Sequence, residues 1–140
     1  MQNLRSLKSA TFATGAIVAL MFTTPFGAPA AQAQSNSLSG SWGGGGRIVF
    51  PSGETERARC RARFHAHGRH GYRMNAICAT SSTRVEQTAQ VRRVGGNTYR
   101  GDFFNEQHGI AGTIRITVKG GRLSALLRGG GGSAEFHLGR

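Results

Sequence analysis

The sequence predicts an all-β domain, an antiparallel meander of eight strands that closes into an up-and-down barrel. Two observations lead to this prediction. No segment after residue 40 has the 3.6-residue period of an amphipathic helix, and apolar residues alternate with polar ones instead. Turn residues interrupt this alternation about every 10 positions, as in a series of hairpins. Closure of the strands would leave no exposed sheet edge, and a two-sheet β-sandwich is the alternative.

The turn residues set the limits of the predicted strands. Glycines mark the connections at 95–96, 120–121 and 129–132, because glycine tolerates the positive φ that tight hairpins require. The predicted strands are 41–50, 55–67, 71–80, 83–94, 97–104, 109–119, 122–128 and 133–139.

Pairing opposed residues across each turn tests this division, because opposed residues must face the same side of a sheet. The hairpin of predicted strands two and three places Cys60 opposite Cys78 on the apolar face. The last two hairpins place Val118 opposite Leu123 and Leu123 opposite Leu138. The three hairpins therefore agree on one apolar face.

Two places in the pattern predict irregular backbone. Val94 faces away from the other valines of strand four, which predicts a bulge near Arg92-Arg93. A turn at 105–108 places Gly101 opposite Gly112, and such glycines favour the sharp bends and close approach of a barrel corner.

The predicted interior contains bulky side chains. An eight-stranded barrel is just wide enough for side chains to fill, so we expect no large cavity. The inward set is Trp42, Phe50, Phe64, Met74, Tyr99, Phe103 and Phe136.

Residues 1–33 are predicted to form a cleavable signal peptide. Arg5 and Lys8 give the positive start, and residues 12–22 give the apolar core. Ala31-Gln32-Ala33 is the small-x-small pattern that a signal peptidase cleaves. The protein is therefore expected in the periplasm or outside the cell.

Cleavage after Ala30 is a second possibility. The apolar core is shorter than the roughly 20 residues of a transmembrane helix, so no membrane span is expected. Segment 34–40 would then precede a barrel domain at 41–140.

The two cysteines, Cys60 and Cys78, are the only ones in the chain. An even count in a short exported protein predicts a disulfide. No second Cys or His pair stands at metal-ligand spacing, which argues against a zinc site.

The chain is strongly basic. Loss of the signal removes Arg5 and Lys8 and leaves 16 basic and 6 acidic residues, a net charge of +10. This charge favours encounter with an anionic glycan, a lipid headgroup or an acidic protein. Export separates the protein from most nucleic acid, so no nucleic-acid partner is expected. The alternative is that the charge serves only solubility.

A row of arginines on the outward face of predicted strand two, here called the arginine ladder, is the strongest local feature. Residues two apart in a strand share a face at roughly 6.6 Å, and guanidinium groups suit bidentate contacts with phosphate or carboxylate. The row excludes lipid contact on that face. We predict an anion-binding stripe, with a merely solvated face as the alternative. The ladder is Arg57, Arg59, Arg61 and Arg63.

Histidines continue the ladder toward the hairpin tip. His65, His67 and His70 are candidate metal ligands because three imidazoles suit zinc, copper or nickel. Neighbouring arginines would repel a divalent cation, so the prediction is that no metal and no cofactor binds. Charge that depends on pH is the simpler outcome.

Catalysis finds little support in the sequence. A nucleophile needs an oriented base, and the cysteines are expected to be bonded to each other. Glu54 and Glu56 share a strand face but stand beside a turn, unlike a glycosidase pair. The sequence therefore predicts a protein that is not an enzyme.

Four segments carry a resemblance to known proteins: Gly40-Ser41-Trp42, residues 52–60, Arg84-Val85-Glu86-Gln87 and Gly131-Gly132-Ser133-Ala134. They resemble an uncharacterised family of small exported β-barrel-like proteins of Gram-negative bacteria, which implies no particular activity. Residues 38–42 beside a disulfide are also similar to periplasmic protease inhibitors built as eight-stranded barrels.

Two functions follow as hypotheses. The first is a non-enzymatic exported protein that binds an anionic surface or ligand through the arginine ladder. The second is a periplasmic inhibitor of a secreted hydrolase that acts through its loops. The sequence leaves the ligand and the oligomeric state open.

Overall fold

The computed structural model describes residues 37–140, which form a closed barrel of eight antiparallel strands in chain order. Each strand pairs with the next, and β1 pairs with β8 to close the barrel. The predicted meander and its closure are confirmed, and the sandwich alternative is not observed. The strands are β1 (Gly40–Val49), β2 (Thr55–His67), β3 (Gly71–Ala79), β4 (Arg84–Arg93), β5 (Thr98–Asn105), β6 (Ile110–Lys119), β7 (Arg122–Gly129) and β8 (Gly132–Gly139).

The predicted signal peptide, residues 1–33, lies outside the described residues. Between residues 37 and 140, no helix has the length and apolar content that a membrane crossing requires.

Apolar side chains fill the barrel from inside, as the alternation predicted. Six of the predicted bulky residues are at most 7% exposed: Trp42, Phe64, Met74, Tyr99, Phe103 and Phe136. Phe50 is only half-buried because it follows the last residue of β1 at the rim. A void of about 20 Å³ remains in the middle of the core.

One end of the barrel is closed by contacts between the two ends of the described chain. The indole Nε1 of Trp42 donates a hydrogen bond to the carbonyl of the fully buried Leu38, at 2.9 Å. The guanidinium carbon of Arg140 lies 4.2 Å from the Trp42 ring centroid, a cation–π contact. Arg140 also donates to the carbonyls of Ser37 (2.6 Å) and Ser39 (3.1 Å).

Cys60 and Cys78 form the predicted disulfide between β2 and β3. They are directly opposed in the register, with their Cα atoms 4.1 Å apart. Both face the core and are 4% and 3% exposed. The bridge therefore staples two neighbouring strands from inside the barrel.

The predicted pairings of the β2–β3, β6–β7 and β7–β8 hairpins are confirmed. The pairing predicted for β5 and β6 was wrong, because Gly101 lies opposite Ile114 rather than Gly112. The connecting loop extends to Gly109, which has a φ of +60°, and this shifts the register by two residues.

The predicted bulge near Arg92-Arg93 was also wrong. Arg92 pairs with residues of both β3 and β5, and the register of each strand pair continues through it without a shift. Val94 lies beyond the end of β4 and is 58% exposed. The outward position of Val94 therefore follows from the turn after β4, and β4 contains no extra residue.

Inward-facing glycines let neighbouring strands approach closely. A Cβ added to Gly46 would overlap the carbonyl oxygen of Glu135, and one on Gly101 would overlap that of Gln90. Gly112 meets a neighbouring carbonyl in the same way. The close approach predicted for Gly101 and Gly112 is therefore confirmed, although they are not opposite each other.

Two substitutions on β1 test this role of glycine. We predict that Gly46→Ala lowers the free energy of unfolding by about 1–3 kcal/mol, because backbone atoms must move to admit the methyl group. Gly43→Ala is the matched control, since its Cβ would meet nothing within 4 Å and its side faces outward. It should change stability by less than about 1 kcal/mol. Equal losses in chemical denaturation would contradict the argument.

Reduction of the disulfide should lower the melting temperature. The bridge joins residues 18 apart, and closing such a loop restricts the unfolded chain by roughly 3 kcal/mol. For a domain of this size the loss corresponds to roughly 10–20 °C. Melting curves with and without reductant measure it, and the Cys60→Ala/Cys78→Ala variant should not respond to reductant. Titratable thiols in the native, oxidised protein would disprove the bridge.

Candidate functional site: an arginine ladder on the outer wall

The arginine ladder lies on the outer wall of the barrel along β2. All four of its side chains are exposed, and they alternate with the buried Ala58, Cys60, Ala62 and Phe64. The core contacts of the intervening residues fix the outward direction of the arginines, because successive side chains in a strand point to opposite faces. The four arginines therefore lie in one solvent-facing row along β2.

The β1 side of the ladder carries no side chain beside its two central arginines, whereas Arg57 lies beside the exposed Arg47. Arg59 and Arg61 lie beside Gly45 and Gly43, and Arg63 lies beside Ser41. The Arg63 Nε donates a hydrogen bond to the Ser41 hydroxyl at 3.2 Å. The glycines leave the wall next to the central guanidinium groups bare, so a ligand can approach them from the side.

The β3 side of the ladder offers no acidic group. Arg59, Arg61 and Arg63 lie beside Ala79, Ile77 and Asn75. Within residues 37–140, the ion pairs are Arg84 with Glu86 and Glu135 with His137, and neither includes the ladder. The four guanidinium groups therefore face solvent without a carboxylate partner from this part of the chain.

Two shallow grooves border the ladder. One of about 800 Å³ lies along Arg57 and Arg59, beside Gly45, and Arg47 and Glu135 also line it. The other, of about 790 Å³, lies along Arg61 and Arg63. Each half of the ladder thus has open space next to its guanidinium groups.

The second groove extends across the wall to apolar side chains. Ile77 and Phe104 line it and are 42% and 44% exposed. Glu86 and Glu106 also line this groove. An anion that binds along the ladder therefore meets arginine on one side and a mixed surface on the other.

The three histidines do not assemble a metal site. Arg73 lies opposite His65, and its Nη2 donates to the Nε2 of His67 at 3.3 Å. Over residues 37–140, no three side chains among His, Cys, Asp and Glu are grouped to hold a metal ion. Arg73 therefore contacts one of the three candidate ligands, His67, directly.

Glu56 and Glu54 lie near the turns at the other end of β2. The Ser82 hydroxyl hydrogen-bonds to both carboxylate oxygens of Glu56, at 2.7 and 2.9 Å. Hydrogen bonding from Thr80 and Ser82 lowers the pKa of Glu56. The observed role of Glu56 is thus to join β2 to the β3–β4 turn.

A second basic cluster, which the sequence analysis missed, crosses the opposite part of the wall. Arg100 lies between Arg92 on β4 and Arg115 on β6 in the cross-strand register. The predicted β5–β6 register placed Thr113 opposite Arg100, so the error hid this row. The glycine at position 109 was the signal that could have corrected it, because glycine tolerates the positive φ observed there at the end of the longer loop.

No protein-family model matches the chain, and no curated protein matches its sequence. Among solved structures, the fold is similar to the redesigned β-barrel mFAP1 bound to DFHBI, with a TM-score of 0.63 and 13% identity over 74% of this chain and 94% of that one. The redesigned barrel b11L5F_LGL matches with a TM-score of 0.59 and 14% identity over 77% of this chain and 94% of that one. A fluorescence-activating β-barrel designed de novo matches with a TM-score of 0.57 and 13% identity over 73% of this chain and 92% of that one. At such identities the similarity concerns the fold alone, a small closed β-barrel.

Proposed function

We propose that the protein is a non-enzymatic, exported binding protein that holds an extended anionic chain, such as an acidic glycan, along the arginine ladder. The observation that carries this proposal is the row of four exposed guanidinium groups with no carboxylate partner in residues 37–140. Export is supported by the predicted signal peptide and by a disulfide of the kind that persists in oxidising compartments.

The spacing of the ladder suits a linear ligand. Its four arginines repeat at roughly 6.6 Å and span about 20 Å of the strand. Each planar guanidinium can make two parallel hydrogen bonds to a carboxylate, sulfate or phosphate. A chain of anionic groups lying on the bare glycine strip of β1 would reach several arginines at once.

Electrostatics favours the same partner. The arginines of the ladder, two residues apart, repel each other. A bound polyanion neutralises this repulsion, and its anionic groups are attracted to the guanidinium groups. The net charge of the domain adds a long-range attraction that speeds encounter. Salt screens these forces, since the Debye length falls from about 10 Å at 0.1 M to about 3 Å at 1 M.

Binding to heparin, used as a model polyanion, tests the ladder. We predict that Arg59→Gln/Arg61→Gln/Arg63→Gln abolishes retention on a heparin column at about 0.15 M salt, where the Debye length is about 8 Å. The variant should melt at the same temperature or slightly higher, because exposed repelling charges are removed. Retention of the unmodified protein that barely depends on salt would favour the loop-based inhibitor hypothesis.

Two variants with the same loss of charge serve as controls. One replaces Arg69, Lys119 and Arg122, which are exposed at hairpin tips, and the other replaces Arg92, Arg100 and Arg115 of the second cluster. Both should elute at a lower salt concentration than the unmodified protein but remain retained. If either control loses retention as fully as the ladder variant, net charge alone determines binding and the proposal fails.

A further inference from the structure

The end of the barrel opposite the Trp42–Arg140 closure is open. A pocket of about 210 Å³ lies there, and all four hairpin turns of that end contribute to its rim. The rim residues are Phe50 and Pro51, Thr83, His108, and Gly130. The pocket is therefore a feature of the whole barrel end, and it lies apart from the arginine ladder on the outer wall.

The walls of this pocket are mostly apolar. Ile48, Val85, Phe103, Ile110 and Leu127 line it, and no Lys, Arg, Asp or Glu of residues 37–140 does. The outer wall differs, because basic side chains cover much of it. Sites for small molecules typically combine such apolar walls with a few polar groups. The chemistry of the lining selects a neutral ligand.

Polar side chains of Thr83, Gln87, Asn105, His108 and Ser133 also line the pocket, and Asn105 is the most buried of them. It is the single buried polar residue in residues 37–140, only 4% exposed, and it lines the pocket. Its Oδ1 accepts a hydrogen bond from the backbone N–H of His108 at 3.1 Å. Its Nδ2 makes no hydrogen bond within residues 37–140. Every side-chain nitrogen or oxygen that is fully buried in this part of the chain has a hydrogen-bond partner, so Nδ2 is not fully buried. The amide nitrogen is therefore accessible to solvent, and because Asn105 lines the pocket we take it as the donor to a ligand there.

The floor of the pocket limits the size of a ligand. Gln87 and Leu127 line both the pocket and the void of about 20 Å³ beneath it, so the packed core begins directly below. Sites for drug-sized molecules measure about 300–1,000 Å³, and this pocket is smaller. Its volume matches about seven water molecules at about 30 Å³ each.

We propose that this pocket binds a small, neutral, mostly apolar molecule of about the size of one substituted aromatic ring. A carbonyl or similar acceptor on the ligand receives a hydrogen bond from Asn105 Nδ2. The ring occupies the apolar space between Ile48, Val85 and Ile110. Apolar burial supplies most of the affinity, and the hydrogen bond sets the orientation.

Acetophenone and ethylbenzene are the probes, because they differ mainly by the carbonyl group. Titration of each into the purified protein is followed by methyl and side-chain amide NMR shifts. Both probes should shift the methyl signals of Ile48, Ile110 and Leu127, and acetophenone should also shift the Asn105 amide. Acetophenone should bind about three- to tenfold more tightly, the effect of one hydrogen bond.

A filled pocket provides the second test. Ala134 lines the pocket and is partly buried, so Ala134→Leu should weaken acetophenone binding at least tenfold. Ala111→Leu adds the same atoms on the exposed outer face of β6 and should bind acetophenone normally. Melting curves confirm that both variants fold. The ladder variant should also bind acetophenone normally, because the two sites are independent.

Three results would overturn the proposal. The first is an absence of methyl shifts at the pocket with either probe. The second is unchanged binding by Ala134→Leu when its fold is intact. The third is equal affinity for acetophenone and ethylbenzene, which would disprove the hydrogen bond assigned to Asn105.

Discussion

Closure of the barrel depends on glycine at inward positions, where strands bend and approach each other too closely for a side chain. The run from Gly43 to Gly46 on β1 shows both consequences of this constraint. Gly44 and Gly46 face inward and let the backbone of β8 pack against β1. Gly43 and Gly45 face outward and leave bare the wall beside the arginine ladder. The inward glycines that allow the barrel to close thus alternate with the outward glycines that leave the candidate site accessible.

The sequence predicted the parts of the fold that depend on local alternation and short turns. It identified the Cys60–Cys78 pair because a tight turn fixes the register of that hairpin. It failed at the loop before β6, where Gly109 adopts a positive φ and adds two residues to the connection. A two-residue slip keeps every side chain on its face, so the apolar pattern gave no warning. The Arg100–Arg115 pair was lost through that slip.

The candidate sites differ in how far the sequence could reveal them. The ladder lies within one strand, so alternation alone placed its arginines on one face. The open-end pocket combines residues from all four turns of one end, and no local pattern brings them together. Asn105 illustrates the difference, because in sequence it resembles an ordinary turn residue. Its burial follows only from the closed barrel around it.

The ladder and the disulfide are physically linked through β2. Cys60 lies between Arg59 and Arg61 and joins β2 to β3 beneath the repelling charges. In water, unit charges roughly 6.6 Å apart repel by about 0.6 kcal/mol, so three neighbouring pairs cost roughly 2 kcal/mol before screening. The bridge contributes roughly 3 kcal/mol by restricting the unfolded chain. The cross-link therefore offsets the repulsion in the overall free energy of folding, and within residues 37–140 no carboxylate forms an ion pair with the ladder.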